Sequence, residues 1–170
     1  MLTNPIGFIR ISLSQNDHYL GVDEMKLSTR GRYGVKAVLE LATHYGREHV
    51  SIKAIAAKQR VSEYYLEQLF AQLRRAGIIR SMRGAYGGYA LSRPPSDITV
   101  YDVIEVLEGT IEISDCIADT TCSNSDCCAT RLLWVRIKDS IDDVLKSTTF
   151  QDMVDDYNNM KTNKDGVKGD

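Results

Sequence analysis

Apolar positions recur at helical spacing in six stretches of the chain, most of them opened by a capping residue and several closed by a glycine. After Ser28, the positions Val35, Val38, Leu39 and Ala42 fall at i, i+3, i+4 and i+7. This predicts an amphipathic helix capped by Ser28 or Thr29 and ended near Gly46. Ser51 predicts a second cap, with Ile52, Ile55 and Ala56 buried on a helix reaching Gln59. Arg60-Val61 reads as a tight turn and Ser62 as the cap of a third helix running to Ala76. Leu66, Leu69, Phe70 and Leu73 form that helix's core face, and Gly77 stops it.

The period then changes. Ile78 to Arg83 reads as a strand, Gly84 to Gly88 as a turn and Tyr89 to Leu91 as a returning strand. Pro94-Pro95 marks a boundary, after which Thr99 opens a helix carrying Val100, Val103, Ile104 and Leu107 and closed by Gly109. A long helix is expected from Ala129 to Lys146, where Trp134, Ile137, Ile141 and Val144 alternate steps of three and four. Such a seam, broadened by Leu133 and Leu145, suits a coiled-coil-like contact with a second copy; the competing reading is an intrachain core helix. Phe150, Met153, Val154 and Tyr157 mark a short last helix, and the polar run from Met160 is expected to be disordered. The expected fold is mainly α with a small β-hairpin wing: a winged helix-turn-helix plus a long C-terminal dimerisation helix. In order, it comprises a tail over 1–24 (disordered, or a translated upstream region), a winged unit over 25–95, a sensor loop with dimerisation helices over 96–159, and a tail over 160–170.

Two short helices and a turn, followed by a basic hairpin, are the parts of a nucleic-acid reading head. A plain helical hairpin has the same periodicity, so the hairpin with Arg80 and Arg83 is what favours DNA. The third helix turns Tyr64, Tyr65, Glu67, Gln68 and Gln72 away from its core face, and Ser62 stands at its entry. Ser62, Tyr64, Tyr65 and Gln68 are candidate contacts to base edges or phosphates. Arg80 and Arg83 beside Gly87 are candidates for the backbone or the minor groove. Glu67 is repelled by phosphates unless it accepts from cytosine, so it is either a discriminating contact or a solvated helix charge.

Charge supports that division. The net charge is −2, but residues 25–95 hold thirteen Lys and Arg against four Glu, and residues 96–170 hold seven against sixteen acidic residues. A segment of +9 followed by one of −9 points to a polyanion as partner of the first half. No apolar run is long enough to span a membrane and no secretory leader is evident, which leads to a cytoplasmic expectation. In that reducing compartment the four cysteines, all between Asp115 and Arg131, suggest metal ligation or redox chemistry rather than structural disulfides. No phosphate loop, nucleophile-base constellation or redox C-x-x-C is present, so an enzyme is the least favoured class.

Several runs together resemble one family. Met25-Lys-Leu-Ser-Thr-Arg-Gly-Arg-Tyr, Val61-Ser62, Tyr65-Leu-Glu-Gln-Leu-Phe, Arg83-Gly84 and Gly87-Gly88-Tyr89 are similar to the IscR-like winged-helix regulators, a family that also contains CymR and NsrR. The likeness covers residues 25 to 160. It implies a homodimeric transcription factor, acting as a repressor on a roughly palindromic double-stranded operator, with a sensor loop between the winged units and the crossed long helices. Cys116, Cys122 and Cys128 give C-x5-C-x5-C, the IscR-like spacing, and the resemblance makes them ligands of an iron-sulfur cluster. A 2Fe-2S cluster is favoured, with 4Fe-4S the alternative, because spacing does not set nuclearity.

The chain departs from the pattern at the fourth ligand. IscR-like proteins have a histidine where this chain has Arg131, and NsrR-like proteins use an early carboxylate where Arg30 and Arg32 stand here. The additional Cys127, Asp115, Asp126, a serine, a partner subunit or a small thiol are the remaining candidates. A zinc site would strain adjacent Cys127 and Cys128 on one small ion, and thiol sensing without metal is the other alternative. CymR-like relatives lack the cysteine cluster and answer to a partner enzyme of cysteine synthesis. The second functional reading is therefore control by a cysteine-synthase-like or cluster-assembly protein, or by thiol redox state.

Overall fold

The computed structural model describes residues 28–84, 87–111, 113–114, 117 and 128–166. They form six α-helices and one antiparallel hairpin: α1 Thr29–Thr43, α2 Ile52–Gln59, α3 Glu63–Arg75, β1 Ile79–Met82, β2 Gly88–Leu91, α4 Val100–Glu108, α5 Ala129–Ser147 and α6 Phe150–Gly166, with a 3-10 turn at Pro95–Asp97.

Caps set most of the boundaries. Ser28 Oγ accepts from the amides of Arg30 and Gly31, Ser51 Oγ from Ala54 and Ser62 Oγ from Tyr65, so each hydroxyl satisfies donors that a helix start leaves unpaired. Thr99 and Asp102 form a reciprocal capping box on α4. Gly77 and Gly109 leave α3 and α4 with positive φ, 73° and 81°. Arg60, at φ 56°, takes the left-handed position between α2 and α3 that glycine would fill without strain.

The core joins both halves of the chain. Val38, Leu41, Ile55, Leu66, Phe70, Leu73, Ile79 and Leu91 are fully buried together with Ile98, Val103, Leu107 and Phe150, so the Pro94-Pro95 boundary does not divide two cores. Phe150 is carried there by a short pairing across the chain. Val100 N–H donates to the Thr148 carbonyl and Phe150 N–H to the Ile98 carbonyl, each at 2.9 Å. This clamp folds α6 back onto α1 and the 3-10 turn.

Two local differences from expectation have clear causes. The inner face of α1 is Gly31, Gly34, Ala37, Val38, Leu41 and Ala42, whereas Val35 and Leu39 are only half-buried. Hydrophobicity alone misplaces this face because α4 approaches most closely at two glycines: a Cβ on Gly34 would overlap Leu107 Cδ1, and one on Gly31 would overlap the Glu108 carboxylate. The last helix also continues past Tyr157 to Gly166, through the run expected to lack structure. Local contacts accompany that extension: Lys161 lies over the Tyr157 ring and Thr162 Oγ1 donates to the Asn158 carbonyl.

The long helix α5 packs on α4 and buries none of its residues. Trp134, Ile137, Ile141 and Leu145 are half-buried, and Leu132, Leu133 and Val144 are exposed. The intrachain-core reading of this helix does not hold: none of its residues is buried in the single chain, and its apolar seam is only half-covered.

Candidate nucleic-acid interface and cysteine segment

The third helix presents its polar face as anticipated, but its residues divide in role. Tyr64 is 72% exposed, and Glu67 and Gln68 are exposed beside it. Tyr65 is half-buried, its ring edge-on to Tyr33 with centroids 6.0 Å apart. That contact ties α3 to α1. Ser62 is exposed, yet its hydroxyl already accepts from Tyr65 N–H at 3.1 Å, which leaves its proton for another acceptor. Gln72 is half-buried; it accepts from Arg30 Nη2 and donates to the Gln68 carbonyl at 3.3 Å.

The hairpin stands beside this face. Ile79 pairs with Leu91 and Met82 with Gly88, and Arg80, Ser81 and Arg83 are exposed. Arg74 Nη1 donates to Ser81 Oγ at 3.4 Å, tying the end of α3 to β1. Tyr89 seats β2 at its base: its ring meets Phe70 edge-on at 4.7 Å, and its N–H and C=O both bond Val50 at 2.9 Å. That pairing needs Gly88, because a Cβ there would press on the Val50 carbonyl. At the other end Gly87 N–H donates to the Gly84 carbonyl at 2.9 Å, and a Cβ on Gly87 would overlap the Met82 carbonyl. Gly84 and Gly87 are thus held together across the turn; Ala85 and Tyr86, between them, lie outside the described residues.

α3 and the hairpin together offer exposed Arg74, Arg75, Arg80 and Arg83. Arg30, from the start of α1, reaches the same helix through Gln72. Sequence reasoning assigned no role to Arg30, Arg74 or Arg75. The basic count of the segment signalled such residues, but periodicity could not say which faces they share.

Of the cysteine segment, Cys116, Cys122, Cys127, Asp115 and Asp126 lie outside the described residues. Cys128 is the N-cap residue of α5. Its Sγ is 3.0 Å from Thr130 Oγ1, and the hydroxyl of Thr130, then the backbone N–H of Arg131, hold its thiol below the ordinary value. A thiolate is the form that ligates iron, and a helix start favours it, so the environment of Cys128 fits a cluster ligand. Among the described residues no three His, Cys, Asp or Glu side chains converge as a metal site. His44 is occupied at the end of α1, with Nδ1 2.9 Å from the Glu40 carbonyl.

The comparisons with known proteins agree with this architecture. The model of the Rrf2 family, described as an iron-dependent transcriptional regulator, matches residues 27–156. The chain belongs to the Rrf2 family. Among its Rrf2 relatives, the HTH-type transcriptional regulator CymR of Bacillus subtilis is 46% identical over 129 residues, covering 76% of this chain and 89% of the relative. The solved structure of CymR, the global cysteine regulator of B. subtilis, superposes with a TM-score of 0.67 at 45% identity, over 76% of this chain and 96% of that one. T. potens IscR superposes with a TM-score of 0.65 at 46% identity, over 78% and 88%. An Rrf2 protein of this kind is a DNA-binding transcriptional regulator rather than an enzyme. Among the described residues no helix is long and apolar enough to cross a membrane.

Proposed function

We propose that this Rrf2 protein is a cytoplasmic homodimeric repressor whose operator binding is governed by an iron-sulfur cluster held by Cys116, Cys122 and Cys128. The observation that carries the reading is Cys128. It stands at the start of the helix with the open apolar seam, its thiol lowered by Thr130 and the Arg131 amide, at the last position of C-x5-C-x5-C. Bound there, the cluster would supply a redox- and supply-sensitive link among the three cysteines. The seam of α5 then joins two chains, which sets two copies of α3 on successive faces of a palindromic duplex. Tyr64, Glu67 and Gln68 would meet base edges, Ser62 a phosphate, and Arg80, Arg83 and the Gly87 backbone the sugar-phosphate chain.

A second reading has its own support, since the CymR relative is as similar in sequence as the IscR structure. In it a cysteine-synthase-like partner or thiol oxidation, rather than a cluster, sets DNA binding. One experiment separates them: anaerobic purification, a visible spectrum, iron and sulfide analysis, and operator binding by wild type and by a variant with Cys116, Cys122 and Cys128 changed to Ala. The cluster reading expects a brown protein whose colour and regulation vanish together in the variant. A colourless wild type holding zinc or no metal, with regulation unchanged in the variant, sinks it. For the interface, Arg83→Ala should weaken binding by about 1 kcal/mol and lower the salt slope by about 1; unchanged affinity would remove Arg83 from the contact.

A further inference from the structure

The end of α4 is fastened to the start of α1 by one side chain. Glu108, the last residue of α4, accepts through Oε1 from Ser28 Oγ at 2.6 Å and from Gly31 N–H at 2.7 Å. α1 has no acidic residue in its own first turn, so Glu108 supplies from another helix the negative charge that a helix start favours. The place is shaped for it, because any side chain on Gly31 would overlap the carboxylate. From the same turn of α1, Arg30 donates to Gln72 Oε1, and Gln72 donates to the Gln68 carbonyl on α3. Hydrogen bonds thus run from Glu108, through the first turn of α1, to the exposed face of α3.

We propose that Glu108 is a positioning residue for the DNA-facing helix: by holding the first turn of α1 it sets Arg30 on Gln72, and through that contact the placement of Gln68 and its neighbours. This rests on the reading of α3 as the DNA-reading helix. Glu108 stands immediately before Gly109, where the chain leaves α4 toward the cysteine segment. A change at the end of α4 therefore reaches α3 without passing through the hydrophobic core. Glu108 itself need not touch DNA.

The test uses full-length protein as isolated anaerobically, with whatever metal it holds, and a duplex selected by the wild type from random sequence. Glu108→Ala should weaken binding about fivefold to tenfold, the scale of one ordinary hydrogen bond and less than the full loss of two charge-assisted ones, because Glu108 acts on α3 only through α1. Glu108→Gln, which keeps an acceptor, should recover most of that loss. Gln72→Ala should weaken binding to a similar extent, and the double variant should bind no worse than about the weaker single, because both break one chain of contacts. Fold-losses that multiply, or a Glu108→Ala protein with wild-type affinity, would overturn the proposal. Amide hydrogen exchange without DNA reads the same relay independently. Glu108→Ala should speed exchange in the Gln68 to Gln72 turn of α3 as well as in the first turn of α1; faster exchange confined to α1 would overturn it. A wild type that selects no duplex refutes the DNA role of α3, while the exchange result still decides the relay.

Discussion

Gly34→Ala puts a methyl group where two helices already touch. An ideal Cβ at Gly34 overlaps Leu107 Cδ1, with Leu107 Cγ at 3.5 Å and Val103 Cγ1 at 3.7 Å behind it. Leu107 is only 3% exposed, so its methyl cannot swing into solvent. Two opposed terms decide the outcome. Replacing a mid-helix glycine by alanine favours the helix by about 1 kcal/mol. Forcing a methyl into a packed core costs roughly 1–3 kcal/mol, and an overlap this deep belongs at the upper end. The net destabilisation is about 1–2 kcal/mol, which lowers the melting temperature of a chain this size by roughly 2–8 °C. Calorimetry at fixed protein concentration reads it, since the proposed dimer would make the midpoint concentration-dependent. Leu107→Ala alone should cost about 2–5 kcal/mol, and combined with Gly34→Ala it should cost less than the sum by about 1 kcal/mol, because the new methyl enters the vacated space. A Gly34→Ala protein that melts above wild type, or a strictly additive pair, would refute the packing argument.

Arg60→Gly relieves a left-handed residue, φ 56°, and should raise stability by about 0.5–1 kcal/mol after the added freedom of the unfolded chain is subtracted; a urea midpoint that falls instead would count against it. Asp152 is held below the ordinary carboxylate value, first by the Thr149 hydroxyl and then by the Thr149 N–H. Its stabilising effect is therefore complete above about pH 4 and is lost as pH falls through its folded value. Asp152→Asn should flatten the acid limb of a stability-pH curve, and an unchanged limb would show that the cap is not felt. Leu133→Asp on the exposed seam of α5 should shift sedimentation from dimer to monomer with the helical signal retained, whereas a persistent dimer would place the contact elsewhere.

Much of the winged unit was legible because its signals are local. Ser28, Ser51, Ser62 and Thr99 each cap the helix they announced, and Leu66, Leu69, Phe70 and Leu73 line one side of α3 because 3.6-residue spacing leaves them no other. The hairpin was legible from its change of period, though its first strand shortens to Ile79–Met82 and its second gains Gly88 from the turn. The burial of Tyr65 against Tyr33 was not visible, since a tyrosine on the polar face of a helix carries no mark of a neighbour on another element.

The sequence by itself determined where most helices begin, which half of the chain is basic and where the four thiols cluster, because caps, periods, charges and thiols are properties of neighbouring residues. Tertiary structure decided the contacts that join distant ones: Gly31 and Gly34 became the closest approach of two helices, Phe150 entered the core of the first half, and Glu108 reached the start of α1 from 77 residues beyond Gly31. The physical reason is that a glycine or a carboxylate has no preferred partner until folding brings one within reach. Hydrogen-bond and packing energies fall away within a few ångströms, so only the folded chain can assign them.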